Sequence, residues 1–152
     1  MKIVKVIQWD MGHRVLNHRS ICRGLHGHRY KAEICVQGEL ITESGLSEEG
    51  MVTDFADIKK TAQKFIHEEL DHGFMVWDND NELLEFFKHS TGHKPVIVPF
   101  TPTAENIAEY VFKQLKDKFL DIFNTGLHLH SIKLWETPSS YALCETKIEG
   151  FN

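Results

Sequence analysis

The stretch CRGLHGHRYKAEICVQGE, residues 22–39, carries the reading on which the fold turns. From His28 onward apolar and polar residues alternate. His28, Tyr30, Ala32, Ile34 and Val36 fall on one face, and Arg29, Lys31, Glu33 and Gln37 on the other. A period of two over residues 28–39 predicts a strand with one face in a core and the other in solvent. Sheets wet on one side are usually antiparallel. At the head of the stretch, His26-Gly27-His28 sets two imidazoles at i and i+2, hence on one face of an extended chain. Gly27 between them lets the backbone come close to a ligand.

His13, upstream, can supply a third imidazole from a neighbouring strand, with the thiol of Cys22 close by. Zinc held by three imidazoles keeps a fourth position open for water or substrate. Cys22 as fourth ligand would instead close a structural site. Spacing alone leaves both arrangements open.

Outward from this stretch, Lys2–Asp10 reads as a strand rich in β-branched residues. Asp54–Leu70 carries Phe55, Ile58, Ala62, Phe65 and Leu70 at helical spacing, with Asp54 as N-cap. Residues 73–100 are irregular apart from a helical piece, Glu82–Lys88, and a turn at Ser90-Thr91-Gly92. The run from Asp78 to Glu82 opens like a calcium loop, but Leu83 stands where the loop needs glycine, so no calcium site is expected. A second helix follows Thr101-Pro102-Thr103, with Pro102 in its first turn and a buried stripe of Ile107, Val111, Leu115 and Ile122. Gly126 ends it. Strands Leu127–Glu136 and Tyr141–Glu149, joined by the turn Pro138-Ser139-Ser140, close the chain. The order β-β-α-α-β-β predicts an α+β fold, a four-stranded antiparallel sheet with two helices on one face. Its two edges need cover or pairing, and pairing with other copies is one solution.

At 152 residues the chain reads as a single domain, 1–152. The formal charge of −5 argues against a nucleic-acid or membrane binder. Locally the balance reverses: Arg14, Arg19, Arg23, Arg29 and Lys31 lie between Met11 and Ala32 with no acid among them. Such an island suits an anionic ligand with phosphate oxygens. Three cysteines without a CxxC pair fit a reducing compartment. With no apolar leader at the N-terminus, the expected location is cytoplasmic.

Other groups could carry chemistry. Asp71-His72 forms a proton-transfer dyad if the helix ends before it, as Gly73 suggests. Glu136, where a strand meets a turn, could hold a guanidine-like heterocycle edge through paired hydrogen bonds. Glu105 suits the positive end of a helix dipole. His128 and His130 repeat the i, i+2 spacing without a third ligand nearby, and read as strand side chains.

CRGLHGH with the upstream GHR, then GMVTDFADIK, LDHGF, PTAENIA and WETPSS, in that order, resemble the 6-pyruvoyl-tetrahydropterin synthase family from about Trp9 to Tyr141. Only Arg23, Gly24 and Leu25 separate Cys22 from the HGH motif, a spacing similar to the queuosine-pathway branch, 6-carboxy-tetrahydropterin synthase. Asp54-Phe55 after GMVT also looks like that branch. The resemblance implies the tunnelling fold, zinc on His13, His26 and His28, and Cys22 as the catalytic thiol. It implies Asp71 and His72 as a relay pair and Glu136 as the pterin anchor that joins the relay. It places Thr103 and Glu105 at the border of the pterin pocket. It further implies a homohexamer, a dimer of trimers with active sites between subunits, acting on a pterin triphosphate. The expected reaction converts 7,8-dihydroneopterin triphosphate to 6-carboxy-tetrahydropterin, acetaldehyde and triphosphate. Loss of triphosphate alone, as in a 6-pyruvoyl-tetrahydropterin synthase, is the alternative within the family, and a zinc-stabilised binding module the alternative outside enzymes. The segment from Val76 to Phe100 is longer than in short members. Its apolar content predicts packing at the pocket rim or a subunit interface.

Overall fold

The computed structural model describes residues 1–120 and 126–146. Its strands are β1 (Lys2–His13), β2 (His26–Gln37), β3 (Gly73–Trp77), β4 (Pro95–Val98), β5 (His128–Thr137) and β6 (Ser140–Glu145). Three helices, α1 (Phe55–Phe65), α2 (Asn81–His89) and α3 (Ala104–Leu120), complete the regular structure.

β1, β2, β5 and β6 are the four strands the sequence predicts, in antiparallel pairs in that spatial order. The expected strand count is corrected from four to six. β3 and β4 extend the sheet beyond β1, giving the order β4-β3-β1-β2-β5-β6, and both join in parallel. Phe74–Trp77 and Val96–Val98 are too short to show an alternation. A parallel pair needs a crossover connection, and α2 supplies it. β3 meets β1 only at Met11, Gly12 and His13, so among the described residues Lys2–Asp10 are paired on one side alone.

The alternation of β2 is realised. Tyr30, Ala32, Ile34 and Val36 are buried, opposite Trp9, Ile7, Lys5 and Ile3 of β1. Helices cover this face with Ile58, Ala62 and Phe65 from α1 and Ile107, Val111 and Leu115 from α3. Each of these Ile, Phe, Val and Leu side chains contributes about 1.5–3 kcal/mol on burial. Phe55 departs from the expected stripe and is 49% exposed. Ile122 lies outside the described residues, as does the expected end of the last strand beyond Thr146.

Asp54 caps α1, its carboxylate accepting from the Ala56 N–H at 2.7 Å. After Phe65 the helix widens into a π-type turn, Ile66–Leu70, and Asp71 leaves it in extended conformation. Pro102 lies ahead of α3 rather than in its first turn: Thr103 makes the start, its Oγ1 accepting from the Asn106 N–H at 3.4 Å. Gly27 serves the sheet. It faces Gly12 across β1 and β2, where a Cβ on Gly27 would stand 3.1 Å from the Met11 carbonyl, and the Phe74 ring fills the place of a Cβ on Gly12. The two strands can therefore pass closely beside the paired histidines.

Candidate active site

β1 ends at His13 and β2 begins at His26, directly paired, with His28 one step along the same face. The ring of His13 lies 4.5 Å from that of His26 and 5.3 Å from that of His28, and His26 and His28 are 5.1 Å apart, centroid to centroid. One ligand nitrogen from each falls within 4.8 Å of the others. The i, i+2 spacing and the strand register alone bring the three imidazoles together.

The hydrogen bonds fix the tautomers. Nδ1 of His13 is 2.7 Å from the Pro102 carbonyl, and Nδ1 of His26 is 2.8 Å from the Gly24 carbonyl. A carbonyl only accepts, so both Nδ1 atoms donate and both Nε2 atoms keep a lone pair. Backbone carbonyls are common orienters of metal-binding imidazoles. Burial lowers the His13 pKa, favouring the neutral ring that a metal requires. Its buried Nε2 has no hydrogen-bond partner. A buried polar atom left in this state is costly unless something satisfies it. The residues fit a divalent ion of zinc type: three converging imidazoles, two of them with Nδ1 donating and Nε2 left to bind, and one of those Nε2 atoms buried without a hydrogen-bond partner.

Cys22 lies outside this group. It sits in a single 3-10 turn, Ile21–Arg23, half-buried, its carbonyl accepting from the Val15 N–H at 2.8 Å. The triad is not closed by the thiol into a four-ligand site. His128 and His130 join no such group; His130 Nε2 instead meets the Lys2 ammonium at 2.6 Å.

Glu136, near the end of β5, points into the same corner. Its Oε1 is 3.5 Å from His13 Nε2, and burial with the facing Glu136 raises the pKa of the Tyr30 phenol. The carboxylate is 25% exposed, reachable by a ligand yet set against buried groups. Thr103 follows Pro102, whose carbonyl orients His13, and Glu105 is exposed in the first turn of α3.

Asp71 and His72 form their pair beyond the helix end: His72 Nδ1 is 3.1 Å from Asp71 Oδ1, and the His72 side chain is 81% exposed. His72 shares a shallow depression of about 420 Å³ with Asp10, Gly12, His28 and Arg29. On its other side a depression of about 520 Å³ is walled by Phe74, Phe86, Phe87 and His93 from the added strand-helix-strand unit.

The basic island is smaller than the sequence suggests. The Arg14 guanidinium is bound by Asp80 and by Glu82, the latter at 2.8 Å. Arg29 forks onto Asp10 at 3.0 and 2.7 Å. All three acids lie outside the Met11–Ala32 stretch and were invisible to a local charge count. Arg19 and Arg23 remain exposed, with no ion pair among the described residues.

Residues 2–147 match the family described as 6-pyruvoyl tetrahydropterin synthase. The chain belongs to the 6-pyruvoyl tetrahydropterin synthase family. It is 37% identical over 147 residues to the 6-carboxy-5,6,7,8-tetrahydropterin synthase of Haemophilus influenzae, covering 95% of this chain and 96% of that protein. The corresponding protein of Rickettsia conorii is 35% identical, covering 93% and 97%. Among solved structures, an uncharacterized protein from Wolinella succinogenes superposes with a TM-score of 0.76 at 25% identity, covering 97% and 98%. The Caenorhabditis elegans 6-pyruvoyl tetrahydropterin synthase, at 23% identity, shares the fold with a TM-score of 0.65, covering 97% and 96%.

This family member is thus an enzyme on a six-stranded sheet, with a three-histidine cluster at the end of its first hairpin. Sequence reasoning missed the carbonyls of Gly24 and Pro102 as orienters of His26 and His13. Gly24 lies two residues before His26, a spacing that lets a backbone oxygen reach the ring, and this signal was available. The Arg14–Asp80 tie left none, because its partners are 66 residues apart. No described helix is long and apolar enough to cross a membrane.

Proposed function

We propose that the chain is a zinc lyase that converts 7,8-dihydroneopterin triphosphate to 6-carboxy-tetrahydropterin, acetaldehyde and triphosphate, the queuosine-type reaction. The observation that supports it most is the buried Nε2 of His13, without a hydrogen-bond partner beside His26 and His28, in a chain whose relatives are named 6-carboxy-5,6,7,8-tetrahydropterin synthase. Zinc on His13, His26 and His28 would supply Lewis acidity toward the oxygens of the substrate side chain. Cys22 takes a proton from that side chain as thiolate, the form in which sulfur accepts protons. Asp71 holds the His72 ring so that its far nitrogen can carry a second proton. Glu136 accepts paired N–H donors from the amide and amino edge of the pterin, and Thr103 and Glu105 border the ring. Arg19 and Arg23, without acidic partners among the described residues, draw the triphosphate.

The His72 ring is exposed and, among the described residues, its side-chain ion pair is with Asp71, which supports a relay completed across a subunit boundary. The unpaired edge of β1 supports assembly into a homohexamer, a dimer of trimers in the cytoplasm, each chain acting as a single domain. Cys22→Ala tests the division of labour. Metal content is expected to stay at one zinc per chain while turnover falls by about 10²–10⁴. Loss of zinc together with stability would show Cys22 to be a structural ligand.

A further inference from the structure

We propose that Lys94 is a positioning residue for His72, a role that rests on reading His72 as the proton-carrying group. His72 is the one non-glycine residue with positive φ among the described residues, at 58°. A histidine enters this region only where its surroundings hold it there. The peptide unit between Asp71 and His72 is gripped at both ends. Its N–H donates to the Asp10 carbonyl at 2.8 Å, and its carbonyl accepts from the Lys94 ammonium at 3.0 Å. The same ammonium reaches the His67 carbonyl at 3.2 Å, among the last four carbonyls of the helical segment that ends at Leu70. Late carbonyls of a helical segment lack backbone partners, and a lysine can satisfy them.

Asp71 closes the arrangement. Its N–H donates to the Ile66 carbonyl at 2.8 Å, and its Oδ1 accepts from the Asp10 N–H at 3.1 Å while facing His72 Nδ1 at 3.1 Å. Among the described residues, Lys94 is the side chain from outside that donates a hydrogen bond into the Asp71–His72 turn; Arg29 acts on the Asp71 carboxylate only through space. Lys94 pairs with no carboxylate among the described residues; its donors go to main-chain oxygens. It is anchored in turn by its own carbonyl, which accepts from the Phe74 N–H at 2.9 Å at the start of the β3–β4 pairing. The residue that leads into β4 therefore grips the Asp71 carbonyl through its ammonium. Without it the 71–72 peptide plane can rotate, φ at His72 relaxes, and the ring leaves its place against Asp71.

The test uses Lys94→Met and Lys94→Arg, each made alone and in a His72→Ala background, on the assembled zinc-loaded enzyme. Hydrogen exchange in peptides covering residues 66–77 is expected to rise in Lys94→Met and to return toward the parent rate in Lys94→Arg. Turnover of Lys94→Met is expected to fall about tenfold with KM little changed, and to fall no further when His72 is already Ala. Equal fold-losses from Lys94→Met in both backgrounds, or exchange identical to the parent, would overturn the role of Lys94 alone. Full turnover by His72→Ala on its own would overturn the relay reading, and the positioning role with it.

Discussion

Asp80→Ala removes a carboxylate that makes two kinds of bond at once. Asp80 holds the Arg14 guanidinium and caps α2, accepting from the Leu83 N–H at 3.2 Å. Both side chains of the pair are shielded, 10% exposed for Arg14 and 2% for Asp80. Breaking a buried ion pair by removing one partner costs about 3–5 kcal/mol, and losing the cap about 1 kcal/mol more. Glu82, which is 78% exposed, still contacts Arg14 and recovers about 1 kcal/mol. The expected loss is about 4 kcal/mol, read as a lower urea midpoint at one fixed protein concentration, because association adds to apparent stability. In a chain of this length it corresponds to roughly 10 °C in Tm. Arg14→Met combined with Asp80→Asn removes both charges and is expected to cost less than Asp80→Ala alone. A loss below about 1 kcal/mol for Asp80→Ala would refute the reasoning, since the pair would then behave as a solvated surface contact.

The same carboxylate sets an acid limit. Burial opposes its ionisation, yet Arg14 and the Leu83 N–H hold its pKa below the usual value, so its contribution to stability is full above about pH 4 and lost as pH falls through the lowered pKa; Asp80→Asn should flatten that part of an acid-unfolding profile. His26→Ala or His28→Ala should abolish stoichiometric zinc by elemental analysis, because two imidazoles leave the site short of the three ligands a catalytic zinc ordinarily has. Glu136→Gln keeps shape but loses the charge that accepts paired donors, and should raise KM or lower kcat by a combined factor of about 10²–10³, measured in steady state. Stripping zinc with a chelator should stop turnover, and unchanged rates would remove the metal from the chemistry.

Much of this was legible because the decisive signals are local. The alternation from His28 to Val36 fixed the strand and its buried face, and His26-Gly27-His28 on that strand needed only the β1 register to meet His13. Asp54 announced α1, and Gly73 correctly marked a helix end that lets Asp71 turn to His72. The failures share the opposite cause. β3 and β4 span five and four residues, too few for a periodicity to emerge, and their parallel pairing depends on contacts distant in sequence. Arg14 and Arg29 looked like free cations because their acids, Asp80 and Asp10, lie outside the basic stretch. That Gly27 also makes room for the neighbouring strand shows only in the β1–β2 register. Pro102 looked like a helix start, but its carbonyl orients His13.

The most direct measurement is mass analysis of the pterin product, with acetaldehyde assayed in parallel, after incubating the zinc-loaded protein with 7,8-dihydroneopterin triphosphate. The expected result is 6-carboxy-tetrahydropterin with one acetaldehyde and one triphosphate released per pterin. A product that retains the side-chain carbons, with triphosphate but no acetaldehyde released, would contradict it and make the chain a 6-pyruvoyl-forming enzyme.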